Sequence, residues 1–307
     1  NYEEFNLYKQ YLVMQENKEE HDDQYDKDDL LNAKKITFIS LDEAFQIKSN
    51  AKVGDLIEIE TNPQEFNFYA SKEFKNKFNE EIIKKQRENI YHLFKNYENK
   101  IINAKIIDVN ENFWTLELEK KITTTLSKNK VLVNDKFDIG ERIQVYVVEV
   151  QNTTKMPKIL ISRTNINFVI EIFKEFIPEI QEGLIVIKGI SRIPSERIKI
   201  GILSKDDKID PVGACIGKNG SRIKSIIDVL KGEKIDIFLW DNDPKELIKN
   251  SLKPAKIVDI IEINENNKTA LALVAENQIS IAIGKSGQNV KLATQATKWN
   301  IKIKTIT

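Results

Sequence analysis

The sequence predicts a multidomain α+β protein. It reads as an α/β amino-terminal segment ending in a long connecting helix, a five-stranded OB-type β-barrel, and two tandem copies of one α+β unit. Three observations carry this. The 307 residues exceed what one compact core comfortably holds. The apolar period changes from helical to two near residue 100. A short glycine-rich motif then recurs 67 positions after its first appearance, inside matching surroundings.

Composition narrows the chemistry. Basic and acidic residues balance at 47 each, which excludes a uniformly basic nucleic-acid coat. The charge is uneven: residues 1–164 carry a net −4 and residues 165–307 a net +4, so the second half is the better partner for a phosphate polymer. No run approaches the ~20 apolar residues of a membrane span, and no membrane association is expected. Cys215 stands alone, which precludes an internal disulfide and suits a reducing, cytoplasmic setting. With that one cysteine and only His21 and His92, a zinc finger or Cys/His metal cluster is excluded, and no cofactor is expected. Of the basic residues 41 are Lys and six Arg, a bias attributable to AT-rich coding DNA. The chain begins at Asn1 and is read as a fragment with a truncated start.

Along residues 1–100, positions 5–13, 36–40 and 53–60 alternate like strands, and Leu41–Phe45 starts a short helix. Glu16–Asp29 holds eight acidic and two basic residues and reads as a solvated loop, with a docking patch for a basic partner as the alternative. From Ser71 to about Lys100 the residues Phe74, Phe78, Ile82, Gln86, Ile90, Leu93, Phe94 and Tyr97 recur at helical spacing without Pro or Gly, so one long amphipathic helix capped near Ser71 is expected.

Residues 101–164 show five runs of period two: Ile102/Ala104/Ile106, Trp114/Leu116/Leu118, Val131/Val133, Ile143/Val145/Val147 and Ile159/Ile161. Five strands in so short a span predict a small barrel. One face of such a barrel can stack bases, and Phe113 and Trp114 are the candidates, although at least one of them is expected to fill the interior.

The rest of the chain reads helix, strand, strand, helix, turn, helix, strand, twice over. The first copy uses Phe168–Phe176, Leu184–Ile190, Arg197–Leu203, Asp210–Ile216, Ser221–Leu230 and Lys234–Leu239. The second uses Pro244–Leu252, Ile257–Ile263, Thr269–Val274, Asn277–Ile283, Gln288–Ala296 and Ile301–Ile306. Each turn is Ile-Gly-Lys-x-Gly: Ile216-Gly217-Lys218-Asn219-Gly220 and Ile283-Gly284-Lys285-Ser286-Gly287. Glycine allows close backbone approach and positive φ. The helix that follows directs its first N–H groups and positive dipole end into the turn, and the lysines add full charge. This is an anion site shaped for a sugar-phosphate chain. A P-loop is rejected, because G-x-x-x-x-G-K-[ST] fits neither copy and a helix, not a strand, precedes each loop.

The turn has the form of the G-x-x-G loop of KH modules, which clamps about four backbone nucleotides. The candidate RNA-binding residues are Gly217, Lys218, Asn219, Gly220, Ser221, Arg222 and Lys224, then Gly284, Lys285, Ser286, Gly287, Gln288, Asn289 and Lys291. Arg222 and Lys224 are expected to pair with phosphates. Gln288, Asn289 and Lys291 suit polar contacts to bases or phosphates. Val212, Cys215, Ile216 and Ile223 are groove candidates in the first copy, and Ile279, Ile283 and Val290 in the second, with core packing as their competing role.

The stretches IDPVGACIGKNGSRIKSI (209–226), GEKIDIFLW (232–240) and AIGKSGQNVKLATQATKW (282–299) resemble the bacterial NusA family of transcription termination/antitermination factors. The remainder is similar more loosely, with LISRT (160–164) resembling the end of that family's S1 barrel. The resemblance implies four parts: an RNA polymerase-binding domain over 1–100, an S1/OB barrel over 101–164, and KH domains over 165–243 and 244–307. It implies a non-enzymatic, monomeric, cytoplasmic elongation factor that binds RNA polymerase and nascent single-stranded RNA, with other antitermination factors as further partners. Pausing, termination and antitermination would be modulated. The alternative is a general RNA-binding or ribosome-associated S1/KH protein without a polymerase partner, for which residues 1–100 would be superfluous. RNA-degrading phosphorolytic enzymes order KH before barrel, the reverse of this chain. Asp206/Asp207 and Asp241/Asp243 read as turn or cap residues, and Cys215 as a core thiol, so no catalytic residue is assigned.

Overall fold

The computed structural model describes residues 8–14, 37–60 and 68–306, grouped into two compact units, 1–84 and 85–307. In the first unit β1 (Tyr8–Met14) lies between β2 (Thr37–Ser40), which runs parallel to it, and β3 (Leu56–Glu60), which runs antiparallel. Helix α1 (Leu41–Ile47) opens with a reciprocal cap: Glu43 N–H donates to the Ser40 hydroxyl at 3.3 Å, and Ser40 N–H donates to the Glu43 carboxylate at 3.1 Å. Val13, Ala44, Ala51 and Ile57 form the small core between sheet and helix. Helix α2 (Phe68–Lys95) begins three residues before the expected Ser71. The acidic stretch Glu16–Asp29 lies outside the described residues.

In the second unit the last turns of α2 set Phe94, 1% exposed, against a barrel core. The strands are β4 (Ile101–Val109), β5 (Phe113–Glu117), β6 (Thr123–Ser127), β7 (Arg142–Gln151) and β8 (Lys158–Ser162), all antiparallel, in the order β6-β5-β4-β7-β8. The edge strands meet where the Thr124 hydroxyl donates to Ile159 O at 2.7 Å, so the barrel is nearly closed. Inward positions alternate as the pleat requires: Ile106, Leu116, Leu126, Val145 and Ile159.

One expected strand is corrected. Val131/Val133 is not a strand; the third strand is the threonine-rich β6. At 131–133 it is Leu132 that is buried, while Val133 is 83% exposed. The segment is a loop tied down by Asp135, which accepts from Leu132 N–H at 2.9 Å. This loop reaches the next layer: Val133 N–H donates to the Ser195 hydroxyl at 2.8 Å and the Asn134 amide to Lys231 O at 3.2 Å.

The first repeated copy comprises α3 (Ile166–Phe176), a short helix α4 (Pro178–Gln181), β9 (Ile185–Ile193), β10 (Arg197–Ser204), α5 (Pro211–Ile216), α6 (Ser221–Val229) and β11 (Lys234–Leu239). Pro178 starts α4 after α3 has ended. The second comprises α7 (Pro244–Ser251), β12 (Ile257–Asn264), β13 (Thr269–Val274), α8 (Ile279–Ile283), α9 (Gln288–Thr297) and β14 (Asn300–Thr305). In both, the middle strand pairs antiparallel with its predecessor and parallel with the last strand. Ile198, Ile200 and Ile202 face the helices in the first copy, as Ala270, Ala272 and Val274 do in the second, all nearly fully buried. The expected element order is present twice.

The copies share a wall. Helix α9 lies on the outer face of the first sheet, and Phe238 of β11 belongs to the apolar core of the second copy. The approach is close: a Cβ on Gly189 would fall 2.2 Å from Ala296 O, so only glycine fits there. Ser191 donates to Leu292 O at 2.7 Å across the contact. Lys199 enters the same wall with 1% side-chain exposure, donating to Lys253 O at 3.1 Å beside Asp236 at 3.5 Å. Burial holds its pKa below the ordinary lysine value against the pull of Asp236.

Candidate nucleic-acid interface

The two glycine loops have the same backbone. Gly217 sits at φ 74°, ψ 170° and Gly284 at φ 77°, ψ 168°. Asn219 and Ser286 are left-handed at φ 55° and 52°, and Gly220 and Gly287 both have φ 73°. Gly220 N–H donates to Gly217 O at 3.0 Å, and Gly287 N–H to Gly284 O at 3.1 Å. Neither α6 nor α9 has a side chain capping its first N–H groups, since glycine stands at each N-cap. The first-turn donors and the dipole therefore face the loop without a side-chain acceptor, an arrangement that favours an anion.

Exposed side chains ring each loop. Lys218, Asn219, Ser221 and Lys224 are exposed in the first copy, and Lys285, Ser286 and Lys291 in the second. Three predicted residues have hydrogen-bond partners within the chain. Arg222 donates through Nη1 to both Glu179 oxygens, at 2.9 and 3.0 Å, and to Ala214 O at 2.7 Å. Asn289 is buried and donates to Leu252 O and Ala282 O, each at 3.0 Å, and to Ile281 O at 3.3 Å. Gln288 donates to Glu196 of the first copy. Burial alone would raise the Glu179 carboxyl; its own backbone N–H and the Arg222 guanidinium outweigh that and hold it below the usual value.

Of the groove candidates, Ile216 and Ile283 are 40% and 38% exposed, at equivalent positions immediately before the loops. Val212, Ile223, Ile279 and Val290 are half-buried against the cores, and Cys215 is fully buried. Burial pushes the Cys215 thiol up to about 12, with Glu179 adding to the effect, so it is an inert core group. In the barrel Trp114 fills the interior, 8% exposed and edge-on to Phe137 with ring centroids 5.7 Å apart; Phe113 is half-buried. Among the described residues no cluster of three or more His, Cys, Asp or Glu could hold a metal, and no helix is long and apolar enough to cross a membrane.

Sequence reasoning missed Glu179, Asp135 and Ser195. Each has a partner distant in the chain, Asp135 meeting Arg163 across 28 positions and Ser195 meeting Val133 across 62, and no local pattern marks these pairs. Glu179 meets Arg222 across 43 positions.

Comparison with known proteins agrees with this geometry. The NusA-like first KH domain matches residues 163–240, the NusA-like second KH domain residues 244–307, and the NusA N-terminal domain residues 1–88. The chain is 37% identical over 269 residues to the transcription termination/antitermination protein NusA of Bacillus subtilis, covering 88% of this chain and 72% of that one. It is 38% identical over 266 residues to NusA of Halalkalibacterium halodurans, covering 87% and 69% respectively. It is 36% identical over 264 residues to NusA of Thermus thermophilus, covering 86% and 68%. On these matches the chain belongs to the NusA family of transcription termination/antitermination proteins.

Proposed function

We propose that this chain is a non-enzymatic transcription elongation factor that binds RNA polymerase and the emerging RNA and so modulates pausing, termination and antitermination. Residues 1–100 serve as the polymerase-binding domain, 101–164 as an S1-type barrel, and 165–243 and 244–307 as the first and second KH domains. The protein works as a cytoplasmic monomer without a cofactor, alongside other antitermination factors. The observation that carries the reading is the pair of glycine loops with one backbone geometry, each beside an exposed lysine and a helix start without a side-chain cap.

The backbone of Gly217–Gly220 and Gly284–Gly287 approaches the RNA chain. Lys218, Lys224, Lys285 and Lys291 supply charge, and Asn219, Ser221 and Ser286 add polar contacts. Ile216 and Ile283 offer the aliphatic floor next to each loop. Attachment to polymerase raises the local RNA concentration, so loops of modest charge suffice on a chain with zero net charge.

The test replaces Lys218/Asn219 and Lys285/Ser286 with Asp and measures affinity for single-stranded RNA. The expected result is a folded protein with weakened binding; undiminished affinity would remove the loops from the RNA role. The polymerase role is read from pause lifetime on a hairpin-stabilised elongation complex. A lengthened pause supports it, whereas intact RNA binding with no effect on pausing would favour a general RNA-binding protein.

A further inference from the structure

We infer that Arg222 and Asn289 are positioning residues that lock the two glycine loops from behind, and that Arg222 acts on RNA through the loop instead of pairing with a phosphate. The inference rests on the RNA-binding reading above and deepens it.

The two residues are 67 positions apart, the offset of the internal repeat. Arg222 donates to Ala214 O at 2.7 Å, and Asn289 donates to Ile281 O at 3.3 Å. Ala214 and Ile281 are themselves 67 apart, so equivalent positions reach the same carbonyl, in the last turn of the helix entering each loop. Asn289 extends the lock to Ala282 O and Leu252 O. Carbonyls at a helix end lack intrahelical partners, so a donor arriving there fixes the helix terminus and the loop that follows.

The side chains share a donor and not a charge. Asparagine is neutral, so whatever both copies need at this place is a hydrogen bond. In the first copy the charge is cancelled on the spot, because the Glu179 carboxylate lies 2.9 Å from Arg222 Nη1. The first glycine of each loop makes room for the lock. A Cβ on Gly217 would lie 2.8 Å from Arg222 Cγ, and one on Gly284 would lie 2.8 Å from both the backbone N and the Cβ of Asn289. Helix entry, glycine and lock residue thus form one packed unit whose outer side carries the exposed lysines.

Two double variants separate lock from phosphate contact: R222N/E179Q, which carries the donor of the second copy, and R222A/E179Q, which carries none. Both remove the same two charges. Amide exchange at Lys218–Ser221 is measured on the full chain without RNA, and affinity is measured for a 12-nucleotide single-stranded RNA of mixed sequence. The lock requires R222N/E179Q to keep near-wild-type exchange and affinity. R222A/E179Q should exchange about tenfold faster and bind about tenfold more weakly, the worth of one lost hydrogen bond. An equal loss of affinity in both variants, with the salt slope reduced by about 0.7, would show a direct phosphate contact and overturn the inference. Wild-type exchange in both variants would overturn it as well. If exchange responds as expected but the wild-type chain holds no RNA, the lock stands and the RNA-binding reading falls.

Discussion

The Arg163 guanidinium closes on the Asp135 carboxylate through Nε at 2.7 Å and Nη2 at 3.0 Å, with side-chain exposures of 3% and 0%. It also donates to Gln144 O at 2.6 Å and to Val229 O at 3.0 Å, and lies between the rings of Phe137 and Phe168. Asp135 and Gln144 belong to the barrel and Val229 ends α6, so one side chain joins the barrel to the first repeated copy. Removing one partner leaves a buried charge alone. Asp135→Leu is expected to cost about 3–5 kcal/mol, and R163M/D135L to recover only part of it: the apolar pair removes the lone buried charge but leaves Leu132 N–H, Gln144 O and Val229 O without the partners they have here. Urea unfolding followed by tryptophan fluorescence measures both. A cost for Asp135→Leu below about 1 kcal/mol would mean that water reaches the pair.

Alanine at the first loop glycine tests the shared backbone. Gly217 and Gly284 hold φ near 74° and 77° with extended ψ, a region that strains any L side chain. The obstacles differ. At Gly284 the new Cβ meets backbone, whereas at Gly217 it meets the Arg222 stem, which can swing aside. Each substitution should cost about 1–3 kcal/mol, with Gly284→Ala the larger. Paired denaturation curves give the ranking; equal costs would show that φ strain alone sets the price.

The loops were legible because glycine writes backbone conformation into local sequence, and the duplication repeated the message at one offset. The barrel was legible wherever alternation tracked burial, as at Ile143/Val145/Val147. It failed at residues 123–133 for a physical reason. Thr123–Ser127 forms its strand with β-branched threonines and one inward leucine, Leu126, leaving little apolar contrast. Val131 and Val133 alternated, yet Leu132 between them is the fully buried one, while Val131 packs only in part against the barrel and Val133 is exposed. Arg222 was recognisable as a cation near a phosphate-type loop. Its partner Glu179 arrives from α4 through tertiary packing, which no local pattern announces.

The Cys215 thiol should resist alkylation in the native protein. Its pKa is pushed up to about 12 from an ordinary 9.0, chiefly by burial, which lowers the thiolate fraction at pH 8 by about a thousandfold. The linkage has a definite sign. Between pH 9 and 12 the native thiol keeps a proton that the unfolded thiol has released, so this group's contribution to stability declines as pH rises. Iodoacetamide labelling at pH 8, with and without urea, should show modification only of the unfolded chain. Rapid labelling of folded protein would mean that the helix pair around Cys215 opens readily.

Asn289→Asp should be among the most damaging single changes in the second copy. The wild-type amide donates to three carbonyls, at Leu252, Ile281 and Ala282. A carboxylate there would face three acceptors in a site that is 4% exposed. The expected loss at neutral pH is about 3 kcal/mol or more, the scale of an uncompensated buried charge. The variant carboxyl escapes part of this by staying protonated, which raises its folded pKa above the unfolded value of about 3.9. Its deficit therefore grows as pH rises from that value towards the folded pKa, and shrinks on acidification. The difference in unfolding midpoint between wild type and Asn289→Asp should be smaller near pH 4 than at pH 7. Asn289→Leu removes the donors without adding a charge and should show a pH-independent deficit. A pH-independent deficit in Asn289→Asp as well would show that the carboxylate finds water, and that the loop rearranges around it instead of holding its geometry.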